Sequence, residues 1–337
     1  MATRRPGKPH PVQGQVGATT LPAESQVGRT DGWLFSTGTG LQASYRKGPA
    51  ARGPSHLGTI CGVTVTIEPH VALAWIERLG GEGVRERLRD ELAVEEPLEI
   101  RVDGRPLVVA MRTPGEDEEL AAGFLAGEAL IDSRDQVASV GPTDDLAANI
   151  VEVRTRGGLR RDPSAERRFS MTSACGVCGK AALEFVQREA PAAPRPSQPV
   201  EPQLVLRLPA EARAGQPGFA RTGGLHATAL FEPDGRLLVL REDVGRHNAM
   251  DKAIGRLLLD GRFPLPGMLA CLSGRAGFEL VQKASVAGLF GVVAVGAPST
   301  LAVDLARERE MLLCGFARGS SFNVYSGREH LALSASA

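Results

Sequence analysis

Residues 268–300 read MLACLSGRAGFELVQKASVAGLFGVVAVGAPST, and their pattern indicates the fold class. Two short apolar runs, at 268–272 and 292–295, enclose a longer amphipathic segment at 278–289. A glycine-containing turn follows each apolar run and leads into a helical pattern. Short apolar runs that alternate with helical segments are typical of a sheet with helices packed on its faces. The sequence therefore predicts an α/β fold built on a layered mixed sheet.

The alternation continues on both sides of this stretch. Upstream, two predicted strands flank a Pro-Asp-Gly turn, and a helix that opens within 241–252 follows them. Its predicted buried face consists of Met250, Ile254, Leu257 and Leu258. Downstream, a helix and a last strand are predicted. The predicted strands lie at 227–231, 237–240 and 322–325, and the downstream helix lies at 300–313.

The N-terminal half has its own hairpin signal, since Asp103-Gly104 joins alternating segments at 98–102 and 107–111. Acidic residues then precede an apolar helical face at 120–131, and a strand is predicted at 149–154. We also predict a short helix at 71–79. The predicted divisions are a largely disordered extension (1–87), an N-terminal part (88–188), a proline-rich linker (189–203) and a C-terminal part (204–331).

Composition excludes several classes of protein. Lysine plus arginine equals aspartate plus glutamate, at 39 each, so no strong overall field attracts nucleic acid or an anionic membrane. No apolar run of about 18 residues is present, so we expect no membrane span. Five cysteines do not make a disulfide framework, and their odd number favours a reducing compartment. We therefore expect a cytoplasmic protein.

Two of the five cysteines, Cys175 and Cys178, form a C-x-x-C motif among small residues at 173–180. An apolar-periodic segment follows and predicts a helix that starts at the second cysteine. A thiol beside a helix N-terminus, with Lys180 nearby, has a lowered pKa. The thiolate is the form that attacks sulfur and binds metals, so we expect a reactive cysteine pair.

Several chemistries use such a pair. A zinc site needs further ligands, and neither a second C-x-x-C nor an H-x-x-x-H motif occurs. A thioredoxin-like redox site would follow a clear strand, and the segment before Cys175 is a marginal one. A zinc deaminase would need H-x-E, which is absent. Sulfur relay through a persulfide remains, and the flanking glycines suit a thiol that must meet two partners in turn.

Three turns predict ligand contacts. Two follow a strand and precede a helix, at 273–277 and 296–300, so their free backbone N–H groups favour an anion, although each taken alone is better explained as an ordinary helix cap. A third, at 315–321, places Arg318 among small polar residues. In the run 243–248, Asp243 or Asn248 is a candidate helix cap, and His247 beside Arg246 is not needed for capping. We interpret His226, by contrast, as a structural histidine.

The cysteine motif resembles the signature of the formate dehydrogenase accessory sulfurtransferases, the FdhD family. The similarity extends in order over segments at 90–98, 111–115, 119–124, 222–226, 241–252 and 279–283. It covers roughly residues 88–331, while residues 1–87 match nothing in the family.

This resemblance implies a concrete activity. Such proteins take sulfur from a cysteine desulfurase and pass it to the bis-molybdopterin guanine dinucleotide form of the molybdenum cofactor, before that cofactor enters the catalytic subunit of formate dehydrogenase. Carried over, Cys175 would bear the persulfide and Cys178 would assist its release. A chaperone that binds the cofactor without chemistry is the alternative.

The resemblance also implies ligand contacts, a fold and an assembly. The cofactor-binding segment would be Phe316, Ala317, Arg318, Gly319, Ser320 and Ser321, with further contacts at Ser273, Gly274, Arg275 and His247. The family fold is similar to that of cytidine deaminases, without their zinc ligands, and we expect no structural metal. Members of the family are similar in forming dimers, so we expect a homodimer.

Overall fold

The computed structural model describes residues 56–60, 63–67, 70–143 except 82 and 84, 149–161 and 199–332. Fourteen strands and six α-helices lie within this described part. The strands are β1 His56–Ile60, β2 Val63–Ile67, β3 Val71–Leu79, β4 Arg85–Ala93, β5 Glu96–Val102, β6 Arg105–Arg112, β7 Val137–Pro142, β8 Ile150–Thr155, β9 His226–Phe231, β10 Leu237–Asp243, β11 Leu269–Leu272, β12 Gly291–Ala294, β13 Leu312–Arg318 and β14 Ser321–Ser326. The helices are α1 Asp117–Gly127, α2 Pro202–Ala214, α3 Pro217–Thr222, α4 Arg246–Leu259, α5 Phe278–Val286 and α6 Thr300–Glu308.

A six-stranded mixed sheet forms the C-terminal part, in the order β10-β9-β11-β12-β13-β14. Strands β11, β12 and β13 are parallel, β9 and β14 pair antiparallel to them, and β10 pairs antiparallel to β9. The central strands β11 and β12 are buried on both faces, as expected for strands covered by helices on each side. The predicted α/β class and layered mixed sheet are therefore confirmed.

Helices cover both faces of this sheet. Helix α2 packs on one face through Leu204, Val205 and Leu208, against Phe231 and Cys271. Helices α4, α5 and α6 pack on the other face within a larger apolar core. The deaminase-like form of the fold stays a prediction.

The larger core also includes a second sheet. This sheet has four strands in the order β6-β5-β8-β7, and its β5–β6 hairpin confirms the Asp103-Gly104 turn. Helix α1 joins the two sheets, because it contacts β7 and β8 on one side and α4 on the other. A Cβ at Gly123 would lie 1.7 Å from the Asp251 carbonyl oxygen, and one at Gly255 would lie 1.8 Å from that of Glu119. Only glycine permits so close a helix crossing.

Three predictions of secondary structure were wrong. Residues 71–79 form strand β3, paired with β4 in a two-stranded sheet, rather than a short helix. The helix predicted to reach residue 313 ends at Glu308, because Glu310 adopts a left-handed φ of 54° and Leu312 begins strand β13. The proline-rich linker was predicted to reach residue 203, yet Pro202 begins helix α2, where proline suits the first turn.

Two further outcomes concern the predicted boundaries. Strands β1, β2 and β3 lie within the predicted extension 1–87, so regular secondary structure begins before residue 88. The C-x-x-C segment and most of the linker lie outside the described residues. No helix among the described residues is both long and apolar enough to cross a bilayer.

Candidate functional site

The candidate site is the edge of the six-stranded sheet at which the parallel strands end, here called the carboxyl edge. Strands β11, β12 and β13 all end there, and the antiparallel partners β9 and β14 begin there. Ligands of open α/β sheets bind outside the carboxyl ends of the parallel strands. The topology brings five loops to this edge, at residues 224–226, 243–248, 273–277, 296–299 and 316–321.

Glycines let the loops after β11 and β12 lie against each other. The Gly296 N–H donates to the Gly274 carbonyl at 2.9 Å, and a Cβ at Gly296 would lie only 3.0 Å from that same oxygen. Next to them, Phe316 N–H donates to the Gly296 carbonyl at 3.1 Å. Three consecutive turns therefore form one continuous backbone surface.

Both predicted junctions are helix N-termini. Helix α5 starts after Gly277 without a side-chain cap, so its first N–H groups point outward. Helix α6 is capped by Ser299, whose hydroxyl accepts from Ala302 N–H at 3.3 Å. The two junctions therefore differ, and the one at 273–277 keeps more free donors for an anionic group.

The turn at 316–321 is a hairpin between β13 and β14. Phe316 has a left-handed φ of 52°, and the residue is 38% exposed. A left-handed backbone is unfavourable for a residue other than glycine. Because Phe316 is exposed, burial of its ring offsets little of that cost. Strain of this kind clusters where a chain meets a ligand, and Arg318, exposed at the end of β13, lies two residues away.

Asp243 organises the loop that opens helix α4. The fully buried carboxylate accepts from Gly245 N–H at 2.8 Å and Asn248 Nδ2 at 2.9 Å through one oxygen. The other oxygen accepts from Thr113 N–H at 3.1 Å and lies 2.9 Å from Lys252 Nζ. The predicted helix cap is wrong, because Gly245 holds the cap position and Asp243 and Asn248 instead bind each other.

Thr113 contacts the 243–248 loop from another part of the chain, and sequence reasoning missed it. Its hydroxyl accepts from Val244 N–H at 3.1 Å, and its carbonyl accepts from Lys252 Nζ at 2.9 Å. It thereby ties the segment before α1 to a loop about 130 residues away in the chain. The sequence offered only the segment at 111–115 as a signal, through the family resemblance.

His247 points from α4 towards helix α5. Its Nε2 atom lies 2.8 Å from Glu279 Oε2, an ion pair when the ring is protonated. Burial acts to raise the pKa of Glu279, but His247, together with the charges of Lys283 and Arg246, holds it below the ordinary value. His247 is therefore held at the interface of two helices that start at the carboxyl edge.

The two described cysteines are not reactive. Burial raises the pKa of the Cys271 thiol to about 12, and that of Cys314 to about 12 as well. Both thiols stay protonated at neutral pH and act as core residues. Cys61, Cys175 and Cys178 lie outside the described residues, so the predicted role of the C-x-x-C pair stays a prediction. No group of three or more metal-binding side chains occurs within the described ranges.

The structure therefore brings together ten of the predicted site residues. Ser273, Gly274 and Arg275 share the carboxyl edge with the turn that contains Phe316, Ala317, Arg318, Gly319, Ser320 and Ser321, and His247 lies behind them. Of this group, Ala317 is fully buried in the core, so the structure exposes no part of it to a ligand. Whether these residues bind the predicted cofactor stays a prediction.

Comparison with known proteins gives a consistent result. The model of the FdhD/NarQ family matches residues 93–332. A protein from Streptomyces coelicolor named sulfur carrier protein FdhD is 51% identical over 255 residues, which cover 73% of this chain and 90% of that protein. One from Anaeromyxobacter sp. with the same name is 46% identical over 261 residues, covering 73% and 90%.

A solved structure shares the fold. It is that of a formate dehydrogenase accessory protein from Desulfotalea psychrophila, and it matches with a TM-score of 0.65 at 23% identity. The match covers 78% of this chain and all of that one.

Proposed function

This chain belongs to the FdhD/NarQ family, and we propose that it is a sulfur carrier in the maturation of formate dehydrogenase. The observation that carries the proposal is the similarity, at about half identity and over nine-tenths of their length, to proteins named sulfur carriers. The finer proposal is that it takes sulfur from a cysteine desulfurase and transfers it to the bis-molybdopterin guanine dinucleotide cofactor.

Thiol chemistry supports Cys175 as the carrier. Two of the five cysteines are buried and protonated, so a nucleophile must come from the other three. Of these, only Cys175 and Cys178 form a pair, and both fall inside the range that the family model matches. A low-pKa thiol beside a second thiol is suited to accepting and releasing sulfane sulfur.

Sulfur transfer between the donor and Cys175 needs no external oxidant, because one S–S bond forms as another breaks. The Cys175 thiolate attacks the terminal sulfur of the donor persulfide, the donor's S–S bond breaks, and the donor thiolate leaves. The Cys178 thiolate then attacks Cys175 Sγ, which forms a disulfide and releases hydrosulfide to the substrate. A dithiol reductant restores the pair.

The carboxyl edge has the chemistry that a guanine dinucleotide needs. The N–H groups of the first turn of α5 lack a side-chain cap and suit a phosphate. The exposed Phe316 ring offers a stacking surface for a base, and Arg275 and Arg318 add exposed positive charge. These features support the cofactor as the transferred sulfur's acceptor.

A mass-spectrometric experiment tests the carrier role. The protein is incubated with a cysteine desulfurase and cysteine, alkylated and digested. We expect the peptide that contains Cys175 to gain one sulfur that a reductant removes, and a Cys175→Ala protein to lose this label. Cys271→Ala is the matched control and should keep the label, because that thiol is buried. A Cys175→Ala protein that still restores formate dehydrogenase activity in a strain without the gene would overturn the proposal.

The second candidate is a chaperone that binds the cofactor without chemistry. It is favoured by one observation, namely that the described edge offers binding groups but no ionised thiol. Under this alternative, Cys175→Ala keeps formate dehydrogenase activity, whereas Arg318→Ala or Gly274→Val abolishes it. Measuring both variants in the same strain separates the two functions.

A further inference from the structure

His226 lies in the carboxyl edge rather than in the core. It is the first residue of strand β9, and its strand partner is Asp243. Two hydrogen bonds hold the start of β9 against the next turn, since Ala227 N–H donates to Ser273 Oγ at 2.8 Å and Ser273 N–H donates to the Ala227 carbonyl at 3.0 Å. The position of His226 is therefore fixed relative to the loop before α5.

The imidazole lies over Gly274. A Cβ on that glycine would lie 3.3 Å from His226 Nδ1 and 3.4 Å from Cε1, so the ring covers the open side of the backbone. The ring is only half-buried, and within the described part of the chain it forms no side-chain hydrogen bond. The ring is therefore open to a ligand, and the structural role suggested by the sequence stays a prediction.

Charged groups on two neighbouring elements act on His226. Arg246 and His247 belong to α4, and Asp243 is the strand partner of His226 at the end of β10. The turn at 273–274 that packs against the ring contributes only neutral groups. Burial lowers the pKa of His226, the charges of Arg246 and His247 lower it further, and Asp243 opposes them in part. The ring therefore holds a proton less readily than a free imidazole, which favours its neutral form at pH 7.

We propose that His226 is a proton-linked contact for the diphosphate group of the ligand at the carboxyl edge. The inference rests on the proposed function, because it uses the guanine dinucleotide as the ligand. A phosphate bound at the α5 N-terminus would lie beside Gly274 and hence beside the imidazole. Binding an anion there favours the imidazolium, so the protein takes up a proton as it binds, and the ligand is held more tightly as the pH falls.

The test needs a probe whose own charge is constant. Diguanosine pyrophosphate is suitable, because each of its phosphates carries one ester bond and one anhydride bond, and its single remaining acidic oxygen stays ionised throughout mild acid. Calorimetric titrations of the full chain between about pH 5.5 and pH 8, at constant ionic strength, should show binding about tenfold tighter at the acidic end, the effect of one charge-assisted hydrogen bond. The enthalpy should depend on the buffer in the way that proton uptake requires.

Variants assign the effect to one side chain. His226→Gln should remove both the proton uptake and the pH-dependent gain. Arg246→Gln should bind more weakly but keep the gain, with its midpoint at a higher pH, since the charge that lowers the pKa of His226 is gone. His330→Gln, at a buried histidine that binds the Glu310 carbonyl instead, is the control and should keep the wild-type pH profile.

Some outcomes would overturn the inference. Unchanged proton uptake in His226→Gln would do so while leaving the proposed ligand intact. Wild-type protein that fails to bind the probe at any pH would contradict the proposed ligand and His226 with it. If His226→Gln does not fold, a proton NMR titration of the wild-type protein replaces it. The midpoint for the Cε1–H resonance of His226 should rise when the probe is bound, and an unchanged midpoint would overturn the inference. Inorganic pyrophosphate as a second probe shows whether the phosphates alone suffice.

Discussion

The helix interface and the carboxyl edge use the same kinds of polar residue in opposite ways. At the helix interface, formed by Glu128, Asp251 and Lys283, the ammonium group lies 2.8 Å from Glu128 and 2.9 Å from Asp251, and all three side chains are buried. At the carboxyl edge, His226 and Arg318 form no side-chain hydrogen bond or ion pair within the described residues. Polar groups that satisfy each other hold a fold together, whereas polar groups left open at a strand edge are available to a ligand.

This comparison predicts that changes at the interface affect folding, and that changes at the edge affect binding. The interface is also where backbones approach most closely, through Gly123 and Gly255. The edge, in contrast, contains the strained and exposed Phe316. Each region therefore offers a substitution that tests the distinction.

The largest effect is expected at Gly123. A methyl group there would lie 1.7 Å from the Asp251 carbonyl oxygen, a backbone atom that cannot move aside, so Gly123→Ala forces α1 away from α4. We expect a loss of more than about 4 kcal/mol in the free energy of unfolding, measured by urea denaturation. Gly141→Ala in strand β7 is the control, because no atom lies within 4 Å of its added methyl group. Equal stability of the two variants would contradict the close crossing.

The second effect is expected at Lys283. Lys283→Met leaves Glu128 and Asp251 buried together without a cation, which should cost about 3–5 kcal/mol at pH 8. Burial already raises the pKa of Asp251 to about 6 in the intact protein, despite the opposing effect of Lys283. Just below pH 6, the folded state therefore holds a proton on Asp251 that the unfolded state has released. The contribution of Asp251 to stability falls as the pH rises to about 6.

The pH dependence gives the Lys283 prediction its check. The deficit of Lys283→Met should be smaller at pH 5 than at pH 8, since protonated carboxyl groups need no cation. Arg236→Met removes an exposed ion pair with Glu232 and should cost less than about 1 kcal/mol at either pH. A Lys283→Met deficit that does not change with pH would show that lost packing, rather than charge, determines the cost.

Sequence reasoning could predict much of the C-terminal sheet and its turns, and less of what joins the two halves. The runs at 268–272 and 292–295 were predictable as strands. Parallel strands that helices cover on both faces are apolar along their whole length, as these runs are. Leu312 and Leu313 were assigned to a helix because their spacing continued its apolar face, and only the left-handed Glu310 separates them. Short apolar runs do not distinguish a helix end from a strand by periodicity alone.

The candidate site divides in the same way. The turns at 273–277 and 296–300 could be predicted, because a strand, a glycine and a helix follow one another locally. The Asp243 carboxylate, in contrast, binds Thr113 across about 130 residues, and no local pattern encodes that contact. The position of His226 is a similar case, since its packing over Gly274 depends on tertiary structure that no local pattern encodes.

The smallest effect on folding is expected at Phe316, where stability and binding should change in opposite directions. Phe316→Gly relieves the left-handed backbone and should stabilise the protein by about 1 kcal/mol, seen as a higher midpoint of thermal unfolding. It also removes an exposed ring, so diguanosine pyrophosphate should bind about tenfold more weakly if a base stacks there. Phe316→Ala separates the two effects, because it removes the ring but keeps the strained backbone: binding should weaken equally while stability changes little. If Phe316→Gly instead unfolds more readily and binds as before, Phe316 belongs with the structural residues of the helix interface, and the carboxyl edge is narrower than we infer.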